Sequence, residues 1–283
     1  MSLTDIGAEM KTIWSDRTLA AFDTKAVFAA LTNQEYTGDA QKGRNVIIST
    51  LGDLSLLDYD TAMTNGAMTS SDFSITSQSL AIDRWKYINK RVDNLSQLWG
   101  SPQTFNKLVN RAADAFVSEI DSYISSLHTG FTYSASVGRT HSNGHTTSSY
   151  DDIVECGVAL INQGVPIQST DAFAVVSAEV AGNLVKDSRF TSHLTYLQNG
   201  LVDGGKINNL SVYVSPNCPT SGSAGGHWII AGVKDGWALA KAIDETRVIP
   251  NPNMFGILFQ SELIYGSKII NQKGLYKVGI EIV

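Results

Sequence analysis

Charged residues are scarce in this sequence. Asp, Glu, Lys and Arg make up 17% of its 283 residues, whereas the hydrophobic share of 43% is ordinary. Typical globular domains carry roughly 25% charged residues. A chain that covers its surface with Ser, Thr, Asn and Gly instead of charges is typical of a protein whose surfaces meet other protein surfaces.

Basic charge, cysteine and long apolar runs are also lacking. The net charge is −6, which excludes a broad binder of polyanions. The two cysteines, Cys156 and Cys218, form neither a metal-binding spacing nor a disulfide framework. No apolar run approaches the roughly 20 residues of a membrane span, and the N-terminus has no signal core. We therefore expect a soluble, unsecreted protein in a reducing cytoplasm, with reduced and buried thiols.

Two glycine-containing segments have part of a nucleotide-binding pattern. In Gly38–Asn45 the glycines have the spacing of a phosphate-binding loop, but Arg44 and Asn45 stand where that loop needs Lys and a hydroxyl. Ser221–Gly226 is rich in glycine but lacks the strand and helix that flank a dinucleotide-binding turn. We predict surface loops at both places, and no bound cofactor.

No set of side chains assembles a catalytic or metal site. His141 and His145 flank Asn143-Gly144, which is turn sequence, so the two imidazoles need not share a helix face. Cys156 lies in an apolar helical run, whereas a catalytic thiolate needs an electropositive and partly open setting. We predict no catalytic residue and no metal ligand, and conclude that the chain is not an enzyme.

The segment TAMTNGAMTS, Thr61 to Ser70, is nearly symmetric about Asn65-Gly66. Asn-Gly between strand-like sequences is a strong signal of a β-hairpin. A two-residue turn there places Met63 opposite Met68 and Leu56 opposite Ile75. Residues 61–71 carry no charge, which is unusual for a solvated tip. We therefore predict that the tip, through Met63, Asn65, Gly66 and Met68, contacts another subunit; the alternative is an arm folded onto its own core.

The remaining chain predicts a mixed α and β fold. Ser101 and Pro102 begin a helix whose apolar residues, from Phe105 to Leu127, recur at intervals of three and four. The segment 73–92 is predicted as the returning strand of the hairpin. Later strands alternate with helices, which indicates an α/β layer. In that half the segment KDGWALAKAID, 234–244, is predicted as a helix.

Five stretches of the sequence follow one another in an order that is typical of one protein family. They are FAALTNQEYTGDAQKGRNVIISTLGDLSLLDY, LAIDRWKYINKRVDN, FNKLVNRAADAFVSEIDSYI, GGKINNLSVYVSPNCP and MFGILFQSELIYGSKIINQKGLYKVGIEIV. In this order they resemble the major capsid proteins of tailed bacteriophages, which have the Hong Kong 97 fold. Nearly the whole chain takes part in the resemblance, although no single motif is diagnostic.

The resemblance implies an α+β capsid fold of four parts. They are an N-terminal arm (1–40), an extended β-hairpin loop (41–92), a peripheral domain with a long spine helix (93–145 and 246–283) and an α/β axial domain (146–245). It also implies pentamers and hexamers that close into an icosahedral shell around double-stranded DNA, without sequence-specific binding. Assembly in the host cytoplasm with scaffold and portal proteins follows from the same likeness, as does a location in the virion capsid.

Three other functions remain open from the sequence. The first is the shell of an encapsulin-like compartment, which has the same fold but holds cargo enzymes. The second is an enzyme that uses Cys156 or the pair His141 and His145. The third is a tail protein or another structural protein of a virion, which forms tubes or rings instead of closed shells.

Overall fold

The computed structural model describes most of the chain. The described residues are 26–40, 45–51, 75–93, 102–135, 149–168, 170–186, 195–196, 201–220, 226–252 and 256–281. Four α-helices lie in them: α1 (Thr37–Ala40), α2 (Pro102–Ser126), α3 (Ser149–Asn162) and α4 (Ala178–Lys186). Short 3-10 turns lie at Ala29–Leu31, Leu127–Gly130, Lys234–Gly236 and Gln272–Gly274.

Twelve strands in the described residues form three sheets. The strands are β1 (Asn45–Leu51), β2 (Ile75–Ala81), β3 (Arg84–Asp93), β4 (Ser134–Ala135), β5 (Ala172–Val176), β6 (Thr195–Tyr196), β7 (Leu201–Ile207), β8 (Leu210–Val214), β9 (Gly226–Val233), β10 (Trp237–Pro250), β11 (Gly256–Ile269) and β12 (Leu275–Glu281). β1 and β2 pair as a ribbon, and the second sheet has the order β10-β11-β3. The third has the order β4-β12-β9-β5-β8-β7-β6. The mixed α+β class that the sequence predicted is confirmed.

The long helix predicted after Ser101 is confirmed as α2, which begins at Pro102 and has 25 residues. Proline suits the first helical turn because its missing N–H would have no partner there. Ala112, Phe116, Ile120 and Ile124 are buried along one face of α2, at the spacing of an amphipathic helix. Phe116, Ile120 and Ile124 join the first of the hydrophobic cores.

Trp237 lies at the centre of that core. Its ring stacks on Phe173 at a centroid distance of 5.8 Å and meets Phe131 and Phe28 edge-on at 6.0 and 6.2 Å. Its indole N–H donates to the carbonyl of Leu31 at 2.9 Å, so the polar atom of this fully buried side chain has a partner. One residue thereby joins the first described segment, the second sheet and the third sheet.

The third sheet carries α3 and α4 and encloses a second core. All five residues of β5 are buried, as expected for a central strand covered on both faces. β7 and β8 are joined by a two-residue turn at Asn208 and Asn209, which have φ values of 47° and 65°. Asn tolerates the left-handed region well, which is why it suits both turn positions.

Two predicted elements are wrong. Residues 237–250 form strand β10, where the sequence predicted a helix over 234–244. Trp237, Ala238, Leu239 and Ala240 are all fully buried, so both faces of the chain are covered there and burial overrides the helical preference of Ala and Leu. The predicted returning strand 73–92 is two strands, because pairing passes from β1 to β11 across Ile82 and Asp83.

The hairpin register also differs from the prediction. Leu51, and not Leu56, pairs with Ile75. A shift of five positions excludes an uninterrupted ladder that starts from a two-residue turn at Asn65-Gly66. Register in a ribbon follows from which face is buried, and the alternating buried residues Val46, Ile48 and Leu80 fix it near the body of the subunit.

Candidate assembly surfaces

The predicted contact residues Met63, Asn65, Gly66 and Met68 lie outside the described residues, which resume at Ile75. The ribbon that leads to them is described from Asn45 to Leu51 and from Ile75 to Ala81. Its last pair is Leu51 and Ile75.

The ribbon continues the line of β3 along β11. β3 pairs with β11 from Asp93 opposite Gly256 to Arg84 opposite Tyr265. Further along β11, the side chain of Lys268 donates to the carbonyl of Ser79 at 2.9 Å. Next to it, the side-chain amide of Gln78 donates to the backbone carbonyl of Ile270 at 3.1 Å. β2 thus lies close to the last residues of β11, and Ile75 is its first residue.

Gly266 allows this close crossing. A Cβ atom at that position would collide with the carbonyl oxygen of Ala81. The ribbon also packs on β10, where Val46, Ile48 and Leu80 meet Ala238 and Ala240. The β1–β2 ribbon is therefore fixed to the second sheet by a small apolar core of its own.

The opposite face of the ribbon is open. Ile47 and Ile75 are 71% and 57% exposed. An isolated two-stranded ribbon is only marginally stable in water. Exposed β-branched residues on such a ribbon favour contact with a further surface.

The even-numbered residues of β3 face helix α2. The ammonium of Lys86 lies 2.8 Å from a carboxylate oxygen of Glu119, and the guanidinium of Arg84 lies 4.8 Å above the ring of Tyr123. Both side chains are about half exposed, so the Lys86–Glu119 pair contributes at most about 1 kcal/mol. Together these contacts orient β3 relative to α2.

Tyr265 completes the junction between β11 and α2. Its hydroxyl donates to Glu119 at 3.5 Å, and its ring meets Tyr123 edge-on at 5.5 Å. Burial, and secondly the nearby Glu119 carboxylate, raise the pKa of the Tyr265 hydroxyl. This residue is a neutral structural contact at physiological pH.

The odd-numbered residues of β3 form a surface that the sequence analysis missed. Trp85 and Tyr87 are 66% and 76% exposed. With residues of β10 and β11 they line a shallow pocket, and we name this surface the aromatic face; it consists of Trp85, Tyr87, Asn89, Arg247, Gln260 and Glu262. The signal was present in RWKYINK, in which aromatic and basic residues alternate with a period of two.

The segment after the N-terminal 25 residues is anchored to α2 by a buried carboxylate. Asp121 is 1% exposed. Its two oxygens accept hydrogen bonds from the backbone amides of Val27 and Ala29, each at 3.0 Å. Burial raises the pKa of Asp121, and the amide hydrogen bonds oppose that shift. One side chain of α2 therefore fixes the backbone of Val27 and Ala29.

Neither thiol has the setting of a nucleophile. Cys156 and Cys218 are both buried and free. Burial raises the pKa of both thiols, that of Cys218 to about 12. The Cys218 thiol donates to the carbonyl of Trp228 at 3.1 Å. The predicted role of both cysteines as packing residues is confirmed.

The other candidates for chemistry are largely not described. His141, His145 and residues 221–225 lie outside the described residues, as do residues 41–44. Within the described residues, no three His, Cys, Asp or Glu side chains are grouped closely enough to hold a metal ion. In the same part of the chain, no helix has both the length and the hydropathy needed to cross a membrane.

No protein-family model matches the sequence, and no curated protein matches it significantly. Solved structures do match the fold. A chain of Mycobacterium phage Che8 is 24% identical, with a TM-score of 0.70 over 90% of this chain and 91% of that one. A chain from the asymmetric unit of the mature capsid of bacteriophage PhiM1 is 11% identical, with a TM-score of 0.66 over 92% and 88%.

A virus-like particle from Pyrococcus furiosus has the same fold at greater sequence distance. Its chain is 8% identical, with a TM-score of 0.61 over 95% of this chain and 99% of that one. In all three comparisons the likeness spans nearly the full length of both chains. The fold is therefore shared over about nine-tenths or more of this chain.

Proposed function

We propose that this chain, whose fold is that of the Hong Kong 97-type capsid proteins, is the major capsid protein of a tailed bacteriophage. Copies join as pentamers and hexamers, and these close into an icosahedral shell around double-stranded DNA. The observation that carries the proposal is the likeness, over about nine-tenths of both chains, to a chain of the mature PhiM1 capsid. Low charge and exposed apolar residues away from the cores agree with a protein that works by contact between copies.

The arm is the part of the subunit that reaches another copy. Residues 52–74 join β1 to β2 at the end of the ribbon where Leu51 pairs with Ile75, and we propose that they extend from there to a neighbouring copy. We place the tip contact at Met63, Asn65, Gly66 and Met68. Uncharged side chains lose little hydration when they dock, and methionine adapts to irregular surfaces.

The four-part division remains part of the proposal. In this division two parts extend to other copies: the N-terminal arm (1–40) and the extended loop (41–92). The other two form the rigid body: the peripheral domain (93–145 and 246–283) and the axial domain (146–245). β10 crosses the boundary at residue 246, so the two domains share one continuous strand. Scaffold and portal proteins, and assembly in the host cytoplasm before the virion is complete, belong to the same proposal.

The charge of the chain fits a container for DNA. A net charge of −6 does not bind the genome tightly, and strong basic patches would hold packaged DNA by counterion release. The alternative is the encapsulin-like compartment that the sequence left open, because both kinds of shell have the same fold.

Electron microscopy of the expressed protein, alone and with the products of neighbouring genes, tests the proposal. We expect closed particles, and we expect phage lysates to contain the same particles with nuclease-protected double-stranded DNA. Particles that carry a cargo enzyme and no DNA would favour the compartment. Open tubes or flat rings would contradict a closed shell.

A further inference from the structure

The aromatic face lies within three rows of residues that cross β3, β11 and β10. Residues that are opposite one another in an antiparallel register share one side of the sheet. The rows are Trp85, Ile264 and Ile243, then Tyr87, Glu262 and Glu245, then Asn89, Gln260 and Arg247. From the spacing of strands and the rise per residue, the three rows cover roughly 10 by 13 Å of the sheet.

This area suits a small molecule better than a protein. A stable contact between proteins buries about 800 Å² on each partner, which is several times the area of the three rows. Small-molecule sites are instead lined by aromatic side chains and a few polar groups, and the shallow pocket on this face has that lining. The face therefore has room for one or two six-membered rings in direct contact.

Trp85 and Tyr87 supply a line of two exposed rings. They are 66% and 76% exposed, and residues two apart on a strand lie on the same side of it, about 6.7 Å apart. That separation is comparable to the distance between successive rings of an extended oligosaccharide. The faces of aromatic rings are electron-rich, so they attract the C–H groups on the flat face of a pyranose.

Two hydrogen bonds hold the polar groups beside these rings in place. The indole N–H of Trp85 donates to Glu262 at 3.2 Å, and the guanidinium of Arg247 donates to the side-chain oxygen of Gln260 at 2.8 Å. Each bond uses one atom of a group that has several, because a carboxylate has a second oxygen, and a guanidinium and an amide have further N–H groups. The face therefore offers fixed donors and acceptors side by side, which suits hydroxyl groups that do both.

The charge of the three rows disfavours a phosphate-bearing ligand. Glu262 and Glu245 are two carboxylates against the single guanidinium of Arg247, a net charge of −1. A nucleic acid or an anionic lipid surface needs an excess of cations. A neutral ligand that is rich in hydroxyl groups does not.

We propose that the aromatic face is a binding site for neutral oligosaccharides with β-1,4 linkages, such as chains of glucose or N-acetylglucosamine. Two successive sugar rings stack on Trp85 and Tyr87, and their hydroxyl groups bond to the polar side chains beside them. β-1,4-linked chains are extended, as the line of the two aromatic residues requires, whereas α-1,4-linked glucans coil. This site adds a ligand-binding activity to the proposed function and does not rest on it.

Isothermal titration calorimetry of the full-length protein tests the site. The probes are chitohexaose and cellohexaose, with maltohexaose as the α-linked comparison. We expect at least one of the two β-linked hexasaccharides to bind with a dissociation constant of about 0.1–1 mM, because a shallow site buries only part of its ligand. Maltohexaose should bind more weakly by about tenfold or more.

Substitutions on the face separate stacking from other contacts. Trp85→Ala and Tyr87→Ala should each weaken the binding by about tenfold or more, because a stacking surface is lost. Trp85→Phe and Tyr87→Phe keep a ring and should stay within about threefold of the wild type. The matched control is Lys90→Ala, at an exposed position of the same strand on the side that faces α2. Because all three side chains are exposed, the variants should melt as the wild type does.

Three results would overturn the inference. They are no binding of either β-linked hexasaccharide at millimolar concentration, binding that both alanine variants retain in full, and tighter binding of maltohexaose than of the β-linked probes. The proposed function fails by a different observation, which is that the wild-type chain forms no closed particles. Sugar binding is then still measured on the protein as it purifies.

Discussion

Asp121 and Ala29 are 92 positions apart in the sequence, yet the carboxylate of one accepts the backbone amide of the other at 3.0 Å. The second carboxylate oxygen accepts the amide of Val27. A carboxylate that is 1% exposed is costly unless it is hydrogen-bonded. We regard it as the anchor that fixes the root of the first described segment, residues 26–34, on helix α2.

Replacement of Asp121 by Ala should therefore release this root. Two buried amides lose their acceptor, at about 1–3 kcal/mol each, and the loss of a buried charge offsets part of that cost. We expect a net destabilisation of about 2–4 kcal/mol in denaturant unfolding, with faster hydrogen exchange at residues 26–34. Asp121→Asn keeps one acceptor oxygen and should be intermediate. Unchanged exchange at 26–34 in the Ala variant would contradict the anchoring role.

The same carboxylate should give a pH signature. Burial raises the pKa of Asp121 above its ordinary value. The folded state then binds a proton more readily than the unfolded state, so stability rises as pH falls through the folded pKa and levels off below the unfolded value near about 3.9. We expect the wild-type protein to gain stability relative to D121N as pH is lowered towards 4 in paired denaturant titrations. A difference that is flat or falls over this range would be the opposite result.

The buried stripe of α2 should not accept a charge. Phe116 is 5% exposed within the core around Trp237. Phe116→Asp places an unpaired carboxylate there, at a cost of several kcal/mol, and should unfold the subunit. Asn110→Asp, at an exposed position of the same helix, is the matched control. Thermal melting monitored by circular dichroism distinguishes the two variants. An unchanged melting temperature for the Phe116 variant would show that this residue is not part of the core.

Two glycines should respond in opposite directions to alanine. Gly266→Ala brings a Cβ against the carbonyl oxygen of Ala81 and should destabilise the arm junction by about 1–3 kcal/mol. Gly182→Ala, in α4 with open space around the Cβ position, should stabilise by roughly 0.5–1 kcal/mol through its helix propensity. Thermal unfolding of both variants measures this. Equal shifts of the same sign would mean that the crossing at Ala81 tolerates a side chain.

Deletion of Asp60 to Asp72 should separate folding from assembly. The described cores contain none of these residues, so the subunit should fold and remain soluble. Without these residues, which we propose contact a neighbouring copy, we expect no closed particles in negative-stain micrographs. A Gly-Ser replacement of equal length controls for chain connectivity, and normal particles from either variant would count against the docking role.

Elements with a strong local signal could be predicted from the sequence. Pro102 and the spacing of apolar residues by three and four predicted α2, and the apolar run at Ala172–Val176 predicted β5. The strand at Trp237–Pro250 could not be found in this way, because Ala, Leu and Lys favour a helix locally and only the three-dimensional core around Trp237 decides otherwise.

The register of the ribbon and the aromatic face could not be predicted from the sequence, for a different reason. Asn65-Gly66 is a local signal, whereas the pairing of Leu51 with Ile75 depends on which residues the body buries. Similarly, RWKYINK shows alternation, but only the pairing with β11 and the contact of Lys86 with Glu119 determine that Trp85 and Tyr87 point outward. Contacts between copies are still less accessible to local patterns.

The mass and shape of the purified wild-type protein test the central claim most directly. Mass photometry across a range of concentrations, followed by cryo-electron microscopy, should find closed particles of many copies in which segment 52–74 of one subunit lies on its neighbour. A compact single chain at every concentration, with that segment against its own body, would contradict the account.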